Sequence, residues 1–303
     1  MAEGILLLGG SGFVGGTLAA RLIEAGHPVH ILSRHETLPS IAGAHWHGGS
    51  LDNREKLDAL LPECGTIIHL ASTCTPGTSA RTPAREGEEN LLPLLRLLET
   101  LSHHQPRPLL FLSSGGTVYG NPVVLPVVED APFAAQSYHG AAKAAAELFL
   151  TVFAHEGWPV TVLRPSNLYG PGQALKVGFG AVRTVLEHLK RGSTMEVWGN
   201  GETVRDYLYI DDLIQSILLV LQQGVTGTFN VGRNEGISIN HLITLAEATS
   251  GQQLNISRQP ARSVDVRSIV LDNHKLQIAT GWTPSVTLNE GLTRTWQWLI
   301  EQP

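Results

Sequence analysis

Short, largely apolar runs alternate with longer stretches along the first half of the chain. Ile5–Leu8, Pro28–Ser33, Thr66–Ala71, Leu109–Ser113 and Val160–Arg164 are apolar without strict alternation, as expected of strands covered on both faces. Between them lie Thr17–Ala25, Leu91–Leu101 and Ala141–His155, rich in Ala and Leu and long enough to be helices. This rhythm predicts an α/β fold with a doubly wound parallel sheet. It breaks at Gly170-Pro171-Gly172. The pattern beyond predicts helices over 179–191, Asp211–Gln222 and Asn240–Thr249, with short strands over 195–198 and Thr228–Val231. The expected organisation is a first domain over 1–169, rejoined by 206–232, and a smaller mixed α/β lobe over 170–303.

Composition narrows the function classes. The formal net charge of −6 argues against a nucleic-acid binder. No apolar run reaches the roughly 18 residues of a membrane helix, and the MAEGILLLGG start lacks a basic secretion-signal region, so a cytoplasmic location is expected. Cys64 and Cys74 are too few for a disulfide framework. The histidines, including His45/His47 and His103/His104, follow no metal-ligand spacing, so they read as solvated and no metal is expected.

The first candidate chemistry lies where the first strand meets the first helix. There Gly9, Gly12 and Gly15 stand as G-x-x-G-x-x-G in Gly9-Gly10-Ser11-Gly12-Phe13-Val14-Gly15. Glycines at that turn permit close approach of a pyrophosphate, and the helix N-terminus supplies free N–H groups and a positive dipole end. A Rossmann-type dinucleotide site follows, with NAD or NADP as cofactor. The second strand ends in Ser33-Arg34 with no acid, which tilts the ribose site toward a 2′-phosphate. The other candidate cofactor contacts are Phe13, Val14, Leu51, Leu70, Ala71, Ser72, Ser113, Lys143 and Pro165.

Further segments fall in a recognisable order: His69-Leu70-Ala71-Ser72, Asn90-Leu91-Leu92, Ser113-Ser114-Gly115-Gly116-Thr117-Val118-Tyr119-Gly120, Arg164-Pro165-Ser166-Asn167-Leu168-Tyr169-Gly170-Pro171-Gly172, Gly199-Asn200-Gly201, Arg205-Asp206, Phe229-Asn230-Val231-Gly232 and Gly281-Trp282-Thr283-Pro284. Together they resemble the extended short-chain dehydrogenase/reductase family, in its nucleotide-sugar epimerase/dehydratase branch. The resemblance covers nearly the whole chain. It implies NAD(P)-dependent epimerisation of a nucleotide sugar, at C4 of a UDP-linked sugar through a keto intermediate. A dehydratase, an NADP-dependent ketoreductase and a catalytically impaired binding protein are the alternatives. It also implies a homodimer paired through the helices near 91–101 and 141–153.

The family's proton-transfer machinery is a Tyr and a Lys four residues apart plus a Ser or Thr. Lys143 fits, followed by Glu147, but four residues before it stands His139, with Tyr138 one position earlier. In a helix a separation of four shares a face, whereas five swings the side chains about 140° apart. Either His139 takes the tyrosine's place, or the helix starts late enough for Tyr138 to reach the site. The family's Ser/Thr position is Gly115, leaving Ser114 or Thr117 to supply a hydroxyl. For the nucleotide sugar the resemblance points to Asn167, to Arg205 and Arg262 on the diphosphate, and to Asp265 on a ribose hydroxyl. Thr75, in a Ser/Thr-rich loop, is expected to line the sugar pocket.

Overall fold

Leucine-, isoleucine- and valine-rich runs with few polar residues are best placed between two covering layers, and that is where the chain puts them. The computed structural model describes residues 3–34, 41–176, 178–261 and 266–302. In chain order the first elements are β1 (Gly4–Leu8), α1 (Phe13–Glu24), β2 (Val29–Ser33), β3 (Ala44–Gly48), α2 (Arg54–Leu60) and β4 (Cys64–His69). Then come α3 (Pro83–Glu86), α4 (Leu92–Leu101), β5 (Leu109–Leu112), α5 (Gly115–Val118), α6 (Tyr138–His155) and β6 (Val160–Pro165). The remainder comprises β7 (Asn167–Tyr169), α7 (Ala181–Arg191), β8 (Met195–Trp198), β9 (Val204–Arg205), β10 (Tyr207–Tyr209), α8 (Ile210–Gln223), β11 (Gly227–Val231), β12 (Ile237–Ser238), α9 (Ile239–Ser250), β13 (Ile256–Gln259), β14 (Ser268–Ile269), α10 (His274–Thr280) and α11 (Leu288–Glu301).

Seven strands form one sheet in the order β11-β6-β5-β4-β1-β2-β3. Its pairings β1 with β2, β1 with β4, β2 with β3, β4 with β5 and β5 with β6 are all parallel. The strand order reverses between β1 and β4, the switch point at which such sheets bind ligands beyond their strand C-termini. β3, Ala-His-Trp-His-Gly, and α2 are elements the sequence pattern did not announce, because an edge strand need not be apolar throughout.

Two compact units emerge from the chain. One holds the residues up to Ser113, with Tyr138–Leu163 and Ile217–Phe229; the other holds Ser114–Ser137, Arg164–Ser216 and the residues from Asn230 onward. This interleaving differs from a cut at residue 169, since 114–137 and 164–169 go with the second unit. The first unit's core joins Leu6, Leu8 and Ile67 of the sheet to Leu94, Leu97 and Leu101 of α4 and to Leu150 and Phe153 of α6. In the second unit α7, α9 and α11 pack together around Val185, Leu242 and Leu292, all fully buried. Among the described residues no helix is long and apolar enough to cross a membrane.

The histidines are less uniform than expected. His45 and His103 are exposed, but half-buried His47 lies 3.2 Å from His30 Nδ1, and half-buried His104 is 2.7 Å from Asp58. Among the described residues no group of three or more His, Cys, Asp or Glu is placed to hold a metal ion.

Candidate active site

The glycine loop joins β1 to α1, and α1 begins at Phe13, four residues before the position predicted from the pattern. Its first turn is closed by Gly16 N–H donating to the Gly12 carbonyl at 2.8 Å, so glycines that read as loop are already helix. Gly9 has φ +92°, and a Cβ there would stand 2.6 Å from the Ala71 nitrogen. A Cβ on Gly15 would collide with the Gly9 carbonyl oxygen. Gly12 is different: its nearest neighbour would be 3.6 Å away, so the fold does not require glycine there. No side chain caps α1 at Gly12, which leaves first-turn N–H groups free for an anion. A dinucleotide pyrophosphate fits such a loop.

Most other expected cofactor contacts stand at the C-terminal ends of the parallel strands. Ser33 closes β2 and Arg34 follows it, exposed; Leu51 follows β3, packed against the core; Leu70, Ala71 and Ser72 follow β4; Ser113 follows β5. Pro165 ends β6 and is buried in the second unit.

Helix α6 begins at Tyr138, so the late helix start that would bring Tyr138 to the site does not occur. Tyr138 is 48% exposed, while His139 and Lys143 are each 8% exposed, one turn apart on one face. Lys143 Nζ donates to the Leu112 carbonyl at 2.8 Å and lies 4.6 Å from the centre of the Phe111 ring. Burial lowers its pKa to about 8, although Glu147 and Glu86 pull it upward. His139 Nδ1 is 3.3 Å from Glu86 Oε1. Glu147, also buried, accepts a hydrogen bond from the Ser113 hydroxyl. His69, Glu86, Asn90, Phe111, His139 and Lys143 border a cavity of about 10 Å³, room for about one water. Among the described residues neither His69 ring nitrogen has a side-chain hydrogen-bond partner, and burial, with Lys143 nearby, lowers its pKa to about 3. Glu86 went unremarked in the sequence, since no motif spacing connects it to α6.

The hydroxyl question belongs to the second unit. Gly115 is buried at the start of α5, where a Cβ would meet Leu271 Cδ1 at 2.5 Å and the Arg164 carbonyl oxygen at 2.9 Å. Ser114 caps that short helix in extended conformation without using its side chain, and Thr117 Oγ1 is 3.4 Å from the Ser114 carbonyl. Both side chains are half-buried.

Asn167 and Arg205 also lie in this unit, on β7 and β9. The Asn167 N–H donates to the Asp206 carbonyl at 2.9 Å, which sets its side chain beside Gly116, whose Cβ would be 3.2 Å from Asn167 Oδ1. Arg205 Nη1 donates to the Val204 carbonyl at 2.8 Å. Thr75 is in the first unit, buried and bonded to Thr78 rather than open. Arg262 and Asp265 lie outside the described residues.

Several signature residues act as internal scaffolding. Arg164 donates to the Tyr119 hydroxyl at 2.6 Å and the Glu129 carbonyl at 2.8 Å. Tyr119 donates to Asn230 Oδ1 at 2.7 Å, and Asn230 Nδ2 donates to the Val127 carbonyl at 2.9 Å. Buried Asp206 receives the backbone N–H groups of Arg233, Asn234 and Leu271. These groups tie separate loops of the second unit together in a water-poor interior, where each unmade bond would cost about 1–3 kcal/mol.

Comparison with known proteins agrees with this arrangement. Residues 5–232 match the NAD dependent epimerase/dehydratase family. The UDP-glucose 4-epimerase of Mycolicibacterium smegmatis is 32% identical, with 96% of each chain covered. The dTDP-4-dehydro-6-deoxyglucose reductase of Escherichia coli is 29% identical, again over 96% of each. A crystal structure of the Thermotoga maritima UDP-glucose 4-epimerase with UDP-glucose has a TM-score of 0.93 at 33% identity, covering 98% of this chain and 99% of that one. With its parallel sheet, glycine loop and ordered segments, the chain belongs to the NAD-dependent epimerase/dehydratase family of extended short-chain dehydrogenases/reductases.

Proposed function

We propose that the protein is a nucleotide-sugar 4-epimerase acting on a UDP-linked sugar, with NAD as its recycled cofactor. The observation that carries this reading is the pairing of an unobstructed dinucleotide loop with His139 and Lys143 on one face of α6. NAD, if bound here, would supply the hydride acceptor and donor for the sugar carbinol carbon. Gly9, Gly12 and Gly15 would hold its pyrophosphate at the first turn of α1, and the strand-end residues Ser33, Leu70, Ala71, Ser72 and Ser113 would line the rest of the dinucleotide. His139 takes the proton of the sugar hydroxyl and gives it back, the role a tyrosine has in the family. Lys143 supplies positive charge beside it and holds the nicotinamide ribose. Thr117 or Ser114 supplies the helping hydroxyl, because Gly115 has none. Asn167 and Arg205, with Arg262 and Asp265, hold the nucleoside diphosphate; Arg suits the bidentate phosphate geometry. The exposed Leu92 on α4 and Leu148, Phe149 and Val152 on α6 support a homodimer through these helices.

The decisive assay follows UDP-glucose and UDP-galactose by NMR in the presence of NAD. Interconversion without net cofactor consumption is expected; it should vanish in His139→Phe and survive in Tyr138→Phe. Retention of activity by His139→Phe would remove His139 from the mechanism. A ketoreductase is the second reading, favoured by Arg34 just after β2 with no acid on the strand. It would show stoichiometric NADPH oxidation against a 4-keto sugar nucleotide.

A further inference from the structure

The residue facing His139 is buried, charged and comes from another part of the first unit. Glu86 ends α3, immediately before the π-helical turn Gly87–Leu91, and is 3% exposed. Single π turns inside helices recur at functional sites because they re-aim side chains. Here the turn contains Asn90, whose Nδ2 donates to Glu86 Oε2 at 2.8 Å. Asn90 Oδ1 in turn accepts from the Thr73 N–H at 2.9 Å and from Thr73 Oγ1 at 3.2 Å, so the amide is anchored at both ends. That leaves Glu86 Oε1 facing His139 Nδ1 at 3.3 Å, an ion-pair distance; among the described residues neither atom makes a well-aligned hydrogen bond.

The charge state of Glu86 follows from its surroundings. Burial pushes its pKa up, but hydrogen bonds from His139, Ser79 and Asn90 and the attraction of His139 outweigh that, leaving it below the ordinary glutamate value. Glu86 is therefore a carboxylate at neutral pH. A carboxylate only accepts hydrogen bonds, so the imidazole atom facing it is best occupied by N–H. A neutral imidazole carries a single ring proton. If Nδ1 holds it, Nε2 presents a lone pair.

We propose that Glu86 is a positioning residue that fixes His139 as its Nδ1–H tautomer, making Nε2 the atom that exchanges the sugar's proton. This rests on the reading of His139 as the acid/base. A phenol has one protonatable oxygen and needs no such partner; an imidazole has two nitrogens, and half of its neutral forms would offer the substrate a donor where a base is required. The carboxylate removes that ambiguity and stabilises the imidazolium after proton uptake, while its second oxygen stays tied to Asn90. Lys143 Nζ spends one of its three donors on the Leu112 carbonyl, and its charge also attracts Glu86.

The test uses full-length, 15N-histidine-labelled protein with saturating NAD. Two-bond 1H–15N spectra at pH 8 distinguish the tautomers, and the His139 signals are those missing from His139→Gln. Wild type is expected to show Nδ1–H, and Glu86→Gln to shift His139 toward Nε2–H. In parallel, Glu86→Gln should lower kcat about 10-fold or more with KM for the sugar nucleotide nearly unchanged. A wild-type Nε2–H tautomer overturns the proposal, and that spectrum suffices even where Glu86→Gln does not fold. An unchanged tautomer in folded Glu86→Gln overturns it equally. The expected tautomers without turnover of any UDP-sugar would sink the epimerase reading and leave the Glu86–His139 pair standing. Turnover that depends on His139 but not on Glu86 would do the reverse.

Discussion

Restoring the family hydroxyl by Gly115→Ser should damage the protein rather than repair it. The new Cβ would lie 2.5 Å from Leu271 Cδ1, 3.1 Å from Leu271 Cδ2 and 2.9 Å from the Arg164 carbonyl oxygen. The leucine can rotate, but it is fully buried; the carbonyl belongs to β6 and cannot. Overpacking of this kind costs about 1–3 kcal/mol. For a chain of 303 residues, an unfolding entropy of about 2.1 cal/mol/K per residue converts that into a thermal midpoint about 2–5 °C lower. The assay is calorimetry on wild type, Gly115→Ser, Leu271→Ala and the double variant, with epimerase turnover measured on each. Leu271→Ala alone should cost about 2–5 kcal/mol through its cavity. The double variant should be more stable than the two single losses predict, by about 1 kcal/mol, because the serine occupies vacated space. A Gly115→Ser protein with an unchanged midpoint and raised kcat would refute the steric argument. It would also show that the hydroxyl was missing rather than excluded.

Two further outcomes follow from the first unit. Gly12→Ala should leave the thermal midpoint unchanged while weakening NAD binding about 10-fold, whereas Gly9→Ala should lose about 1–3 kcal/mol of stability as well, since only Gly9 meets backbone and a positive φ; isothermal titration and thermal melts separate the two. Acid should destabilise the fold between pH 6.5 and 5: His69, pushed down to about 3 by burial and Lys143, stays neutral in the folded chain while the unfolded chain takes up protons. The loss approaches about 1.4 kcal/mol per unit as the unfolded histidine becomes fully protonated, so urea titrations should lose about 1.7 kcal/mol between the window's ends, and His69→Gln should flatten the slope. His30 and His47, also lowered by burial and by their histidine neighbours, add to the loss in the same direction.

Much of the molecule is written in short-range pattern. The apolar runs became β1, β2, β4, β5 and β6, and the glycine loop, the Lys143 turn of α6 and the strand-end segments stand at the positions their spacing required. These features are local: a strand needs apolar neighbours, a pyrophosphate loop needs glycines at fixed intervals, and a helix brings residues four apart together. What the sequence left open at α6 was geometric, and the helix start at Tyr138 closes it by putting His139, not Tyr138, on the face of Lys143. The rest depends on distance in three dimensions. Gly115 is small because Leu271 and the Arg164 carbonyl crowd it, and both come from remote parts of the chain. Arg164, Tyr119 and Asn230 look alike as motif letters to residues that bind ligands, yet their bonds to one another tie loops together. Glu86 carried no signal at all. A carboxylate acquires meaning from what it is buried against, and only folding brings α3 to the first turn of α6.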